Sequence, residues 1–189
     1  MGVPYEVVNA IADETTEGDD AAALAAANAV AKMRYAALPG DSRPGSFVLG
    51  TDTLVTLGGS VMGKPSSRAD AAAMIGKLSG KTHQVVSGIA LRRIGGAGEG
   101  LDGEAGEQLH VATATTDVTF LSLDTAQIEA YLASGEWTDK AGAYGIQGLA
   151  GMFVSEVRGE YSNVVGLPLC LLARLFHEAG FDLLRRQWI

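Results

Sequence analysis

Phe47-Val48-Leu49-Gly50-Thr51-Asp52-Thr53-Leu54-Val55-Thr56-Leu57 is an apolar, β-rich run of strand length with one acidic residue near its middle. Apolar residues on both sides of Asp52 predict a strand inside a sheet rather than a surface turn, and a buried carboxylate needs a partner or a metal. Outward from this strand, helical and strand patterns interleave. Residues 3–8 read as a short strand, and Asp19-Asp20 opens a helix with Leu24, Ala27, Ala31, Tyr35 and Leu38 at helical spacing. Ser67-Arg68-Ala69-Asp70 has the form of a capping box and starts a helix that runs to Leu78 and closes at Gly80. Runs at 85–94 and 111–123 read as a long hairpin joined by the acidic, glycine-rich segment 95–108. Asp124 and Gln127 cap a further helix that Gly135 ends, 153–157 is a last strand, and 164–179 is a last helix with Leu169, Leu172, Leu175 and Phe176 on one face. The pattern predicts an α/β fold: a mixed sheet with helices on both faces.

A chain of 189 residues with 47% hydrophobic content can bury a sizeable core, and 1–189 is read as one domain. No apolar run reaches the ~18 residues of a membrane span, and the start lacks the basic-then-apolar order of a signal peptide, so a cytoplasmic location without membrane contact is expected. A net charge of −8 with no basic stripe argues against nucleic acid as a partner. Three histidines and one cysteine show no zinc-ligand spacing, and Cys170, on an apolar helix pattern, reads as a small core residue.

Asp139-Lys140-Ala141-Gly142-Ala143-Tyr144-Gly145-Ile146-Gln147-Gly148 reads as a site, because its glycines allow close backbone approach while Lys140 and Gln147 supply a charge and a two-faced amide. With Asp52-Thr53 and Gly63-Lys64-Pro65 it suits a triphosphate. A carboxylate can bind magnesium or activate water, lysines can neutralise phosphate oxygens, and a glutamine can read a base edge. Two phosphate-loop patterns are set aside. Gly58 to Lys64 satisfies G-x-x-x-x-G-K, but Pro65 stands where a hydroxyl must hold magnesium, in a strand–turn–strand context. Gly98-Glu99-Gly100-Leu101-Asp102-Gly103 matches G-x-G-x-x-G but puts carboxylates where a pyrophosphate would sit. His83 reads as a hydrogen-bonded structural histidine, Trp137 as a base-stacking residue or an apolar cap on its own loop, Asn163 as the N-cap of the last helix, and the bland alternative for Asp52 is a strand-end turn residue.

At these residues the chain resembles the Maf family of nucleoside triphosphate pyrophosphatases. The blocks Phe47 through Thr53, Met62-Gly63-Lys64-Pro65, Leu78-Ser79-Gly80-Lys81-Thr82-His83, Ser134-Gly135-Glu136, Asp139 through Gly148 and Asn163-Val164-Val165-Gly166-Leu167-Pro168-Leu169 stand in family order over nearly the whole chain. The 139–148 block with Asp52-Thr53 resembles the branch acting on dTTP and UTP. The resemblance implies an α/β fold with a deep cleft, a possible homodimer, and a divalent cation, magnesium or manganese, as cofactor. It implies that Asp52 is the proton acceptor, that Lys64 is at the phosphates, that Thr53 and Gln147 set specificity beside Lys140, and that Glu14 stands with Asp52 near the metal. Two departures bear on activity. The family's Ser-x-Ser-Pro-Arg-Arg loop has no counterpart within 1–189, and a family lysine on the first helix is Asn28 here, which together withdraw positive charge from the ligand. The expected function is hydrolysis of dTTP or UTP to the monophosphate and pyrophosphate; the alternative is a catalytically impaired nucleotide-binding or cell-division regulatory protein of the same fold, and a third class is a structural interaction module.

Overall fold

The computed structural model describes residues 3–15, 18, 20–40, 45–95 and 109–189. A five-stranded sheet is built from β1 (Phe47–Leu57), β2 (Ser60–Met62), β3 (Thr82–Arg93), β4 (Leu109–Phe120) and β5 (Val154–Arg158), in the order β2-β1-β3-β4-β5. Among the described residues five α-helices accompany it: α1 (Ala21–Arg34), α2 (Arg68–Leu78), α3 (Thr125–Ala133), α4 (Tyr161–Val165) and α5 (Leu169–Glu178). Two short strands, β6 (Phe181–Asp182) and β7 (Gln187–Trp188), pair separately.

The α/β class is as expected, but the sheet is antiparallel at every described pairing rather than mixed. Chain direction explains this. The Gly58-Gly59 turn folds β2 back on β1, and β3 starts where β1 ends, with Gln84 opposite Thr56, so it must run the other way. The segment with the G-x-x-x-x-G-K pattern is thus a hairpin, as its strand–turn–strand reading expects, with Gly58 and Gly59 at positive φ. The acidic, glycine-rich connection 95–108, with its G-x-G-x-x-G pattern, lies outside the described residues except for Gly95.

Pleating decides which helix meets which face. Val48, Gly50, Asp52 and Leu54, with Val86, Gly88 and Ala90 across the ladder, face α1. Ile89 and Leu91 face α5, while Val55, Val85, Val118 and Phe120 carry a larger core under α2 and α3. Helices therefore cover both faces. The face that α1 buries is not the expected one: Ala21, Ala25, Asn28, Ala29 and Met33 are buried, whereas Ala27 and Tyr35 are exposed. The alanine-rich helix has almost no apolar periodicity of its own, so the sheet sets its rotation. A Cβ at Gly50 would stand 2.1 Å from the Ala29 carbonyl oxygen, and one at Gly88 would stand 2.2 Å from that of Ala25. The two glycines form a seat for the 25/29 row.

Caps are as the sequence indicates. Asp20 accepts from the Ala22 and Ala23 amides, Ser67 accepts from Asp70, and Asp124 and Gln127 form a reciprocal box. Asp70 bonds Ser66 instead of closing the box on Ser67. Three further expectations are corrected. Residues 3–8 form no strand, because they meet no ladder partner; among the described residues the isolated bridge near them links Ala10 to Ala36. The last helix is two helices, since Gly166 at φ 119° and Pro168 interrupt it. That break turns Leu169 and Cys170 outward, so Cys170 is exposed and not a core residue. Among the described residues no helix is long and apolar enough to cross a membrane.

Candidate active site

Strand alternation aims Asp52 at α1, where it is buried but not alone. Lys32 Nζ lies 2.6 Å from Oδ1, and Asn28 Nδ2 donates to Oδ2 at 2.9 Å. The same ammonium stands 3.1 Å from Glu14 Oε1. Asn28 also holds the chain next to Glu14, accepting from the Thr15 amide at 3.1 Å and donating to the Thr15 carbonyl at 2.9 Å. Burial alone would lower the Lys32 pKa, but the Asp52 and Glu14 carboxylates outweigh it and hold the group above its ordinary value. Lys32 escaped the sequence reading. Its signal is there in retrospect, four residues and one helical turn beyond Asn28 on the same face. The positive charge missing at position 28 is thus supplied one turn later.

The second wall is the 139–148 loop, and its shape is set by few contacts. Asp139 and Ala143 take positive φ although neither is glycine, and Gly142 at φ 66° sits where a Cβ would meet Val55 Cγ2 at 2.9 Å. The Gly142 amide donates to the Gly63 carbonyl at 3.0 Å, which ties this loop to the segment carrying Lys64. Tyr131 Oη donates to the Ala143 carbonyl at 3.1 Å, and Tyr144 Oη lies 2.8 Å from His83 Nε2. Glu136 Oε2 accepts from the Leu149 amide at 2.7 Å, closing the far end.

Between these walls lies a cavity of about 590 Å³. Asp52, Thr53, Lys64, Lys140 and Gln147 all line it, and so do Lys32, Glu136 and Tyr144. Glu14 is joined to this group through Lys32 rather than by lining the cavity. Asp52 and Thr53 point to opposite faces of the sheet, so a cavity touching both opens on the strand's edge. β2 covers only residues 55–57 of β1, and the rest of that edge has no strand neighbour among the described residues. Thr53 Oγ1 is 2.8 Å from Ser87 Oγ and 3.4 Å from the Gly166 carbonyl, which fixes its rotamer at the floor.

Asn163 is not the N-cap of the last helix. It lies inside α4, fully buried, and its Nδ2 donates to the Val85 carbonyl at 2.9 Å and to Thr116 Oγ1 at 3.0 Å, pinning α4 to β3 and β4; Pro168 precedes α5. Trp137 caps its own loop, donating to the Leu132 carbonyl at 3.1 Å and packing in the α2/α3 core. His83 is structural, as expected, and burial pushes its imidazole down to about 4. The unfolded chain takes up this proton near the ordinary ~6.5, so between those values it binds more protons than the folded chain, and stability falls as the pH drops through that window. Thermal melts of the parent should decline from pH 6.5 towards pH 4, and His83→Gln should flatten that decline; equal slopes would contradict the assignment.

A divalent cation fits this wall on chemical grounds. The Asp52 and Glu14 carboxylates both reach the Lys32 ammonium, at 2.6 and 3.1 Å, so their oxygens are close enough together to share one cation. All-oxygen donors suit magnesium or manganese, and magnesium typically uses one or two carboxylates together with substrate phosphates and water. Among the described residues no group of three or more acidic, histidine or cysteine side chains forms a self-sufficient metal cage.

A family model described as "Maf-like protein" matches residues 1–179. A protein of Symbiobacterium thermophilum named dTTP/UTP pyrophosphatase is 39% identical over 184 residues, covering 97% of this chain and 87% of its own. Proteins of the same name from Deinococcus radiodurans and Anaeromyxobacter dehalogenans are 41% and 49% identical over 180 and 141 residues. These alignments cover 95% and 74% of this chain and 85% and 68% of the relatives.

Proposed function

Since this chain belongs to the Maf family, we propose that it is a nucleoside triphosphate pyrophosphatase converting dTTP and UTP to the monophosphate and pyrophosphate. One observation carries the reading: a single cavity gathers the Asp52 carboxylate, the Lys64 and Lys140 ammonium groups, and the Thr53 hydroxyl and Gln147 amide. Asp52 accepts the proton of the attacking water, and the water adds to the α-phosphorus. Each Asp52 oxygen spends one lone pair on Lys32 or Asn28, which leaves acceptor capacity for that proton. Lys64 and Lys140 neutralise the phosphate oxygens and the pyrophosphate that leaves. Gln147 can donate to a pyrimidine carbonyl and accept from its ring N–H, a pairing that thymine and uracil share. A divalent cation held by Asp52 and Glu14 would supply further charge neutralisation at the phosphates and acidify the water.

The deep cleft, the homodimer, the cytoplasmic location and the one-domain organisation over 1–189 belong to the same reading. The family match along 1–179 supports the last of these.

The test incubates the chain with dTTP, UTP, CTP, ATP, GTP and 7-methyl-GTP in magnesium or manganese and resolves the products. Formation of dTMP and UMP with pyrophosphate, faster than any purine product, is expected. A folded chain whose melting temperature rises with dTTP but which releases no monophosphate would instead be the non-cleaving nucleotide binder.

A further inference from the structure

Asn28 and Lys32 cover Asp52 from one face of α1 and take one carboxylate oxygen each. They cannot do the same work. Asn28, 3% exposed, uses its carbonyl oxygen to accept from the Thr15 amide, which a lysine at that position could not do. Lys32 lies half-open on the cavity wall and reaches both Asp52 and Glu14. Two carboxylates drawn to one point repel each other unless positive charge stands between them. Here the chain provides that charge itself, on a helix seated against Gly50 and Gly88 and so fixed in rotation.

We infer that Lys32 is a positioning residue for the hydrolysis: its ammonium is a built-in cation that holds Asp52 and Glu14 together, while Asn28 tethers the Glu14 segment to α1. Its consequence for turnover rests on the pyrophosphatase reading. Its consequence for cation binding does not. Removing the ammonium leaves the two carboxylates without the charge that aligns them, which weakens turnover, and it frees their oxygens for a divalent ion, which strengthens metal binding by the nucleotide-free chain. A purely structural lysine would not produce these opposite signs.

The experiment compares the parent with Lys32→Met, Lys32→Arg and the double variant Asn28→Lys/Lys32→Met, all confirmed folded by their melts. Lys32→Met should lower kcat for dTTP by about 10- to 100-fold, the range for residues that orient a reacting ligand, with KM nearly unchanged, and Lys32→Arg should recover part of the loss. The double variant should recover less than Lys32→Arg, because it restores charge but cuts the Thr15 tether. Without nucleotide, Mn²⁺ binding followed by electron paramagnetic resonance should be about tenfold tighter in Lys32→Met than in the parent. A kcat within about twofold of the parent, or a loss confined to KM, overturns the positioning role. If the parent cleaves no triphosphate, the pyrophosphatase reading has failed. The Mn²⁺ comparison then decides the inference alone, and equal affinities overturn it.

Discussion

Asp52→Asn is expected to lower kcat for dTTP by about 10²- to 10⁴-fold while leaving the fold intact. The exchange keeps the side chain's size and its place between Asn28 and Lys32, but removes the charge that accepts a proton and that attracts the Lys32 ammonium. Lys32 keeps Glu14 as a partner, so no buried cation is stranded, but the new amide NH2 must face a donor, Asn28 Nδ2 or Lys32 Nζ, so the melting temperature should fall by a few degrees with the fold retained. Steady-state kinetics beside a thermal melt makes the check. Turnover within about threefold of the parent would remove Asp52 from the chemistry and return it to a structural role in the strand.

A large effect on stability is expected at Gly88, as at Gly50. An alanine there would place its Cβ 2.2 Å from the Ala25 carbonyl oxygen and 2.6 Å from the Ala26 amide nitrogen, both backbone atoms of α1. Neither can swing aside as a side-chain end would, so the helix must lift from the sheet. Overpacking of this kind costs about 3 kcal/mol, and in a chain of this size that lowers the melting temperature by about 10 °C. Function should fall with it, since the helix that lifts carries Asn28 and Lys32 to Asp52. Gly76, whose added Cβ would meet nothing within 4 Å, is the control: Gly76→Ala should melt at or slightly above the parent. A Gly88→Ala chain as stable as the parent would show that α1 does not bear on the sheet as closely as described.

Much of this could be read from the sequence because it is local. The bounds of β1, the Ser67 and Asp124 caps and the β3–β4 hairpin follow from apolar runs and short polar signals that act within a few residues. The 139–148 loop was legible for the same reason, and its Lys140 and Gln147 reach the same cavity as Asp52 and Lys64. What escaped depends on contacts between distant segments. The rotation of α1 is set by glycines at 50 and 88, and without that rotation nothing marks Lys32 as a neighbour of Asp52, 20 residues away along the chain. In the linear pattern Asn28 stands as a lost charge, because its partners at Thr15 and Asp52 are not visible there. The break between α4 and α5 was announced by Gly166 and Pro168, but the apolar periodicity around them read through it. That break is what puts Cys170 at the surface and not in the core its apolar pattern suggests.

The most direct measurement follows dTTP hydrolysis in ¹⁸O-labelled water and locates the label by ³¹P NMR. Attack at the α-phosphorus puts the labelled oxygen in dTMP and releases unlabelled pyrophosphate, and this is the result expected. Label in pyrophosphate or in inorganic phosphate would mean that water attacks further along the chain of phosphates, and it would contradict the assignment of Asp52, Lys64 and Lys140 to pyrophosphate release.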